Sequence, residues 1–325
     1  MQRLLIIYNP RSSQAAEIEQ EVLVPARKLS GFMVGKYEVE RTDVDKNATK
    51  LAKILKDGDL VLAAGGDATA TIAANGILLS SRDVSLVVLP YGNFNDLART
   101  LKTRSFEQVF GKLQTKNAKS ENAELKNAKT ENVKLENVTK KLYPLEIIVD
   151  GKFFRYATCY TTIGMTAEAV EIYDRPEVRK KLKKSSGRKI GSYVSLAEWY
   201  FKNRHRKQFL PEFYLNGKLQ DKRVSDYAAV NGRSMARVMK GGEDYLKPKT
   251  FRSETDRLTN FWRLFRLMFL SIVSRVPGTE TKGDVLDFVK PATVEIQAEG
   301  EYRVFQDVKK IEIRKAGKWL KVVQN

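Results

Sequence analysis

Over its first ninety residues the chain alternates between two hydrophobic periods, and that alternation narrows the folds open to it. LLIIY (4–8) is a short apolar run that stops at Asn9-Pro10, as a buried strand stops in a turn. Residues 12–29 are helix-like. KYEVERT (36–42) alternates as a strand does, and 45–57 carries apolar residues at helical spacing. DLVLAAGG (59–66) runs into a glycine turn, TATIAANGILLS (69–80) reads as a helix and VSLVVLP (84–90) as another buried strand. This β-α order predicts an α/β domain with an open, mostly parallel sheet. Ligands of such sheets sit beyond the carboxyl ends of the strands. NPRSS (9–13), GGDAT (65–69) and PYGNFND (90–96) each follow a predicted strand, so three polar turns are expected at one edge.

The rest of the chain reads differently. Asn recurs at 117, 122, 127, 132 and 137, each time followed by Ala or Val. A five-residue period fits neither helix nor strand, so 116–141 reads as an inserted low-complexity segment; a coil of a five-residue-repeat β-helix is the alternative. From residue 142 the pattern is strand-rich, with Asp150-Gly151 and Asn216-Gly217 as hairpin signals. The basic stretch 175–207 interrupts it with a helical pattern. The expected organisation is an α/β domain over 1–115, the insertion, and a β-rich domain over 142–325 whose last strand is able to return to the first domain.

Composition excludes some chemistry. His205 is the only histidine, which removes a multi-histidine zinc site and all but removes a Ser-His-Asp triad, so a general base is expected to be a carboxylate. Cys159 is the only cysteine; no internal disulfide forms, which suits a reducing, cytoplasmic setting. LLIIY is too short for a signal peptide, and FWRLFRLMFLSIV (261–273), interrupted by Arg263 and Arg266, falls short of the roughly 20 residues that span a bilayer. The net charge of +19 favours anionic partners: a membrane surface, nucleic acid or phosphorylated ligands.

In GGDAT, Gly65 and Gly66 permit backbone angles and a close approach that side chains forbid, and a helix opens directly after them. Backbone N–H groups at such a turn form an anion site. A simple strand–helix turn capped by Asp67 explains the same residues. Neither the P-loop pattern nor GxGxxG is present.

NPRSS (9–13), GGDAT (65–69) and LPYGNFNDLAR (89–99) resemble the three phosphate-binding turns NPxSG, GGDGT and PLGTGNDFAR of the diacylglycerol kinase-like catalytic domain family. Further along, IGMTAEAV (163–170), SETDRLTNF (253–261) and AEGE (298–301) resemble the family's glycine segment, its DGLLD stretch and its DGE. The resemblance runs from residue 4 to about 322 without the repeat. It implies a lipid kinase with an α/β domain, a β-sandwich domain, ATP and Mg²⁺. It places Asn9, Ser12, Ser13, Thr42, Gly65, Gly66, Ala68, Thr69, Asn93, Asn95 and Asp96 at the nucleotide. Glu301 becomes the general base with Glu299 beside it, Asp67 assists MgATP, and Asp256 with the carbonyls of Ser253 and Leu258 forms a structural Mg²⁺ site.

Four departures stand out: Ala68 for a glycine, Asn93-Phe94 for Thr-Gly, Ser13 for a glycine and Glu299 for an Asp. A left-handed Ala68 would cost about 1–2 kcal/mol, and Phe94 would either stack on a base or fill the pocket. The basic, aromatic segment 175–209 is expected to dock on an anionic membrane surface at the inner face, with a solvated helix face as its plain alternative. Phosphoryl transfer from ATP to a membrane lipid such as diacylglycerol is therefore the expected function. A catalytically impaired relative that binds nucleotide or lipid without transfer is the alternative, and a soluble acceptor such as NAD a further one. No specific nucleic-acid partner is expected, since no recognition module is present. Oligomeric state stays open, a dimer included.

Overall fold

The computed structural model describes residues 1–40, 43–111, 139–174, 194, 197–198, 201–202, 210–220, 224, 226–235, 239–240, 244–247, 251–256 and 279–324. Thr42, Leu258, the repeat, the 261–273 run and most of 175–209 lie outside them. The chain forms two compact units, Met1–Leu142 with Lys318–Asn325, and Tyr143–Gly317.

The first unit is a six-stranded sheet in the order β2-β1-β3-β4-β18-β5. Its strands are β1 (Gln2–Tyr8), β2 (Phe32–Glu38), β3 (Leu60–Gly65), β4 (Ser85–Pro90), β5 (Thr139–Leu142) and β18 (Leu320–Val323). All pair in parallel except β5, which runs antiparallel to β18. Strand β2 begins at Phe32, earlier than the 36–42 expected, because its edge position leaves Met33 exposed and blurs the alternation.

Both faces of the sheet are covered. Leu4, Ile6 and Tyr8 join Ile18, Val22 and Leu23 of the helical run Ala15–Ala26 and Phe106 and Phe110 in one cluster; the alternate residues Leu5 and Ile7 are equally buried on the other side. Pro25 lacks an N–H for the ordinary helical bond, and the run widens into a π-type turn over Glu19–Leu23 just before it. Helix Asp67–Ser80 is apolar almost all round and buried from Thr69 to Leu78. A Cβ on Gly76 would come within 2.7 Å of the Leu51 side chain of helix Val44–Ile54, so these two helices meet closely only because residue 76 is glycine.

Among the described residues, the second unit holds a ten-stranded antiparallel sheet and a two-stranded one formed by Ser234–Met235 and Met239–Lys240. Its long hairpin β16 (Gly283–Ala298) and β17 (Glu301–Lys315) changes register between Asp287 and Val294. The first half of β16 pairs with β9 (Phe213–Leu215) and its second half with β8 (Tyr160–Gly164). The hairpin thus belongs to two half-sheets. One continues through β6 (Leu145–Val149) and β7 (Lys152–Ala157), the other through β11 (Asp226–Val230), β14 (Phe251–Asp256) and β15 (Thr279–Thr281). Leu145, Ile147, Phe213, Ile311 and Ile313 of the first half pack into one core with Ile163, Tyr227, Ala229 and Ile296 of the second. The register change thus lies where the hairpin passes from one half-sheet to the other. Asp150-Gly151 and Asn216-Gly217 have positive φ at both positions, as tight hairpins of this kind require.

Candidate functional site

Strand register brings the three turns level. Tyr8 pairs with Ala64, Ala64 with Leu89 and Gly65 with Pro90, so β1, β3 and β4 end side by side. The chain passes from β1 to β2 on one side and returns to β3 on the other. The crevice between the Asn9 turn and the Gly65 turn is therefore the point where strand order reverses, the place such sheets hold ligands.

The second and third turns are locked together. A Cβ on Gly92 would overlap Gly66 Cα and stand 2.8 Å from Asn95 Oδ1, and one on Gly65 would lie 2.6 Å from Thr69 Cβ. The Tyr91 N–H donates to the Gly65 carbonyl at 3.0 Å. Asp67 closes the joint: Oδ2 accepts from the Asn95 N–H at 3.0 Å and Oδ1 from the Asp96 N–H at 2.8 Å. Burial pushes the Asp67 carboxyl above the ordinary carboxylate value, against the pull of these two N–H groups and of Arg99. Asp67 therefore holds the start of helix Asp96–Leu101, a role the sequence did not reveal. Asn95 is left-handed at φ 55°, a conformation Asn tolerates, and its Nδ2 donates to the carbonyls of Pro90 at 3.1 Å and Gly92 at 2.9 Å. Asp96, 1 % exposed, lies 3.5 Å from Arg99.

Ala68 lies inside helix Asp67–Ser80 and is not among the residues with positive φ. The left-handed penalty considered for it does not arise; Gly65 and Gly66 serve close approach rather than unusual φ. Ala68→Gly is expected to lower stability by about 0.5–1 kcal/mol, through helix propensity, in a urea titration. A gain in stability would contradict the helical assignment.

In the first turn, Asn9 Oδ1 accepts from the Arg11 N–H at 2.9 Å and the Asn9 carbonyl from the Ser12 N–H at 3.1 Å, while Ser13 is exposed. Asn93 and Phe94 are half-buried, and Arg99 donates to the Phe94 carbonyl at 3.3 Å. Ser12 Oγ and Asn95 Oδ1 are buried with no hydrogen-bond partner among the described residues. Two residues outside the predicted set steady this edge. Tyr91 donates to Glu21 at 2.8 Å, tying the third turn to helical run 15–26. Asn47 accepts from the Glu40 N–H and donates to the carbonyls of Glu40 and Asp43.

In the second unit, Glu299 and Gly300 form the two-residue turn between β16 and β17, with φ of 55° and 83°. Such a position suits Asn, Asp or Gly better than Glu. The Glu299 carboxylate is 3 % exposed and turned inward: it accepts from Thr158 Oγ1 at 3.1 Å, from the Tyr160 N–H at 3.3 Å and from the Cys159 N–H. These bonds hold an otherwise unfavourable turn, so Glu299 positions the tip of the hairpin. Glu301, the next residue beyond the turn, opens β17 opposite Ala298 and is half-buried. Ser253 and Asp256 fall in β14, Asp256 opposite Asp226. Asp226 accepts from the Thr166 N–H at 2.9 Å and from its hydroxyl. Among the described residues no cluster of three or more His, Cys, Asp or Glu could hold a metal ion.

Residues 3–134 match the diacylglycerol kinase catalytic domain family. A diacylglycerol kinase of Bacillus subtilis strain 168 is 39% identical over 105 residues, 31% of this chain and 33% of that protein. One from Staphylococcus saprophyticus is 35% identical over 102 residues, 30% and 32% of the two chains. The matches thus span about a third of the curated relatives' length. A crystal structure of a diacylglycerol kinase from Bacillus anthracis strain Sterne superposes with a TM-score of 0.65 at 15% identity, covering 100% of this chain and 97% of that one, which establishes the shared fold. The likeness read from the three turns is therefore shown for the N-terminal segment.

Proposed function

We propose that the chain is a kinase that moves the γ-phosphoryl group of ATP to a hydroxyl of a membrane lipid such as diacylglycerol. The observation that carries this reading is the joint of the second and third turns. Gly66 and Gly92 meet backbone to backbone under Asp67, at the strand ends of a segment that matches the diacylglycerol kinase catalytic domain.

The turns fit a phosphate ligand. Glycine backbones at the crevice leave room for it, and the buried Ser12 hydroxyl is able to donate to it. Asn9, Ser12 and Ser13 with Gly65, Gly66, Ala68 and Thr69 would hold the nucleotide, and Asn93, Asn95 and Asp96 would complete it. The Asp67 carboxylate, already held by the Asn95 and Asp96 N–H groups, would also meet the water shell of Mg²⁺. The ion would supply charge neutralisation at the transferred phosphoryl. Glu301 would take the proton of the lipid hydroxyl, a task for a carboxylate in a chain whose one histidine, His205, falls in a basic stretch. The structural Mg²⁺ site expected of Asp256 with the carbonyls of Ser253 and Leu258 does not fit β14, where Ser253 and Asp256 stand three residues, roughly 10 Å, apart along one extended strand.

The charge of +19 favours an anionic membrane surface for docking, through 175–209, and so a peripheral place at the inner face of the membrane. No helix among the described residues is long and apolar enough to cross a bilayer. The silent-relative reading drew on four departures, Ala68, Asn93-Phe94, Ser13 and Glu299; with Ala68 in a right-handed helix, the backbone-strain part of it falls away.

The nucleotide half of the proposal is tested by melting. MgATP at about a hundred times its Kd is expected to add about 2.7 kcal/mol, which for a unit of this size raises Tm by roughly 5–10 °C. No shift with MgATP at millimolar concentration would refute nucleotide binding.

A further inference from the structure

We propose that Asn231 is a positioning residue for phosphoryl transfer: it fixes the segment 158–160 that grips Glu299, and so sets the place of Glu301 at the hairpin tip. The inference rests on the lipid kinase reading with Glu301 as the base, and adds a residue that acts on that base at one remove.

Asn231-Gly232 reads as a turn dipeptide, yet neither residue has a positive φ. The pair continues from β11, whose Val230 lies opposite Tyr160 of β8. The Cys159 carbonyl accepts from the Asn231 N–H at 2.6 Å and from the Gly232 N–H at 2.8 Å. Glycine is needed for this approach, because a Cβ at 232 would stand 3.0 Å from Cys159 Cβ and Sγ. Asn231 is fully buried. Its Nδ2 donates to the carbonyls of Tyr143 at 2.9 Å and Thr158 at 2.8 Å, and its Oδ1 accepts from the Lys315 ammonium. Both amide hydrogens are thereby used, and the amide oxygen has its donor.

Segment 158–160 is held from two sides. Asn231 and Gly232 take the carbonyls of Thr158 and Cys159. The Glu299 carboxylate takes Thr158 Oγ1 and the N–H groups of Cys159 and Tyr160, and the Glu299 N–H returns a bond to the Tyr160 carbonyl at 3.4 Å. Glu299 and Gly300 make the turn, and Glu301 follows it. One segment and one carboxylate therefore link Asn231 to the base. The other side of the clamp is fixed as well: Lys315 pairs with Leu145 in the β17–β6 ladder, and its ammonium also reaches the Tyr143 carbonyl at 3.4 Å. Asn suits this position and Asp does not. A carboxylate keeps the Lys315 contact but meets the carbonyls of Tyr143 and Thr158 oxygen to oxygen, with no hydrogen to share. Segment 158–160 then moves, and the turn it anchors moves with it. A displacement of about 1 Å at a reacting group costs about a hundredfold in rate.

The experiment follows MgATP-dependent phosphorylation of dioctanoylglycerol in mixed micelles by the full chain, by Asn231→Asp and by Thr158→Val, each variant made alone and together with Glu301→Gln. Asn231→Asp is expected to lower kcat by about tenfold to a hundredfold, with KM for MgATP and for the lipid within about twofold of wild type. Thr158→Val, which removes one of the bonds to Glu299, lowers kcat by about threefold to tenfold. In the Glu301→Gln background neither change lowers the residual rate by more than about twofold, because the group they position is already gone. A kcat within twofold of wild type in an Asn231→Asp protein that melts cooperatively overturns the inference. An equal fall in both backgrounds overturns it too, and leaves Asn231 a general support of the fold. If Asn231→Asp does not melt cooperatively, Thr158→Val decides alone, and an unchanged kcat there is the contradicting result. Full activity in Glu301→Gln removes the base assignment, and no lipid phosphorylated by the wild type removes the kinase reading; either takes this inference with it.

Discussion

Gly92→Ala is expected to lower the Tm of the first unit by roughly 5–10 °C and to abolish the shift produced by MgATP. The added Cβ would overlap the Gly66 backbone and crowd Asn95 Oδ1 at 2.8 Å. Neither neighbour can give way cheaply. Gly66 is the N-cap of a fourteen-residue buried helix, and Asn95 is fixed by its bonds to Pro90 and Gly92 and by the grip of Asp67 on its N–H. Overpacking against backbone costs about 1–3 kcal/mol or somewhat more, and the Tm change follows from a few degrees per kcal/mol in a unit of this size. Gly111→Ala is the control. Its Cβ meets Glu107 Cγ at an ordinary 3.7 Å, in a helical stretch, so stability should hold or rise. A Gly92→Ala protein as stable as the control would mean that the two turns do not meet as described.

Glu301→Gln should reduce kcat for phosphoryl transfer by about 10²–10⁴-fold, the usual worth of a general base, with the MgATP melting shift intact. Gln keeps the size and most hydrogen bonds of Glu but cannot take a proton. Position favours Glu301 over its neighbour. Glu299 spends its carboxylate on Thr158, Cys159 and Tyr160 and is 3 % exposed, while Glu301 is half-buried at the hairpin tip. Loss of both the MgATP shift and turnover would show a folding defect instead. Turnover above a tenth of wild type would move the base to another carboxylate.

Much of the frame was legible before the structure. LLIIY, DLVLAAGG and VSLVVLP are apolar runs bounded by turn residues, and they form β1, β3 and β4. Such runs carry their own stop signals, so the convergence of three turns followed from order alone. What escaped was pairing across distance. Gly92 sits in a quoted motif, but nothing local says that residue 66 passes against it. The structural role of Asp67 was hidden because its partners, the N–H groups of Asn95 and Asp96, lie 28 and 29 residues away. Ala68 looked strained when compared with a glycine, whereas the helix simply begins two residues sooner than the 69 expected. The β16 hairpin was harder still: periodicity reports which face a residue takes, not that one strand serves two half-sheets.

The most direct measurement is transfer of labelled γ-phosphate from MgATP to a panel of diacylglycerol, ceramide, sphingosine, phosphatidylglycerol and a polyprenol in mixed micelles. The wild type is predicted to label one lipid, diacylglycerol first among them, and Glu301→Gln to leave it unlabelled. No label in any lipid from a protein that MgATP stabilises would contradict the kinase assignment and leave a nucleotide-binding relative in its place.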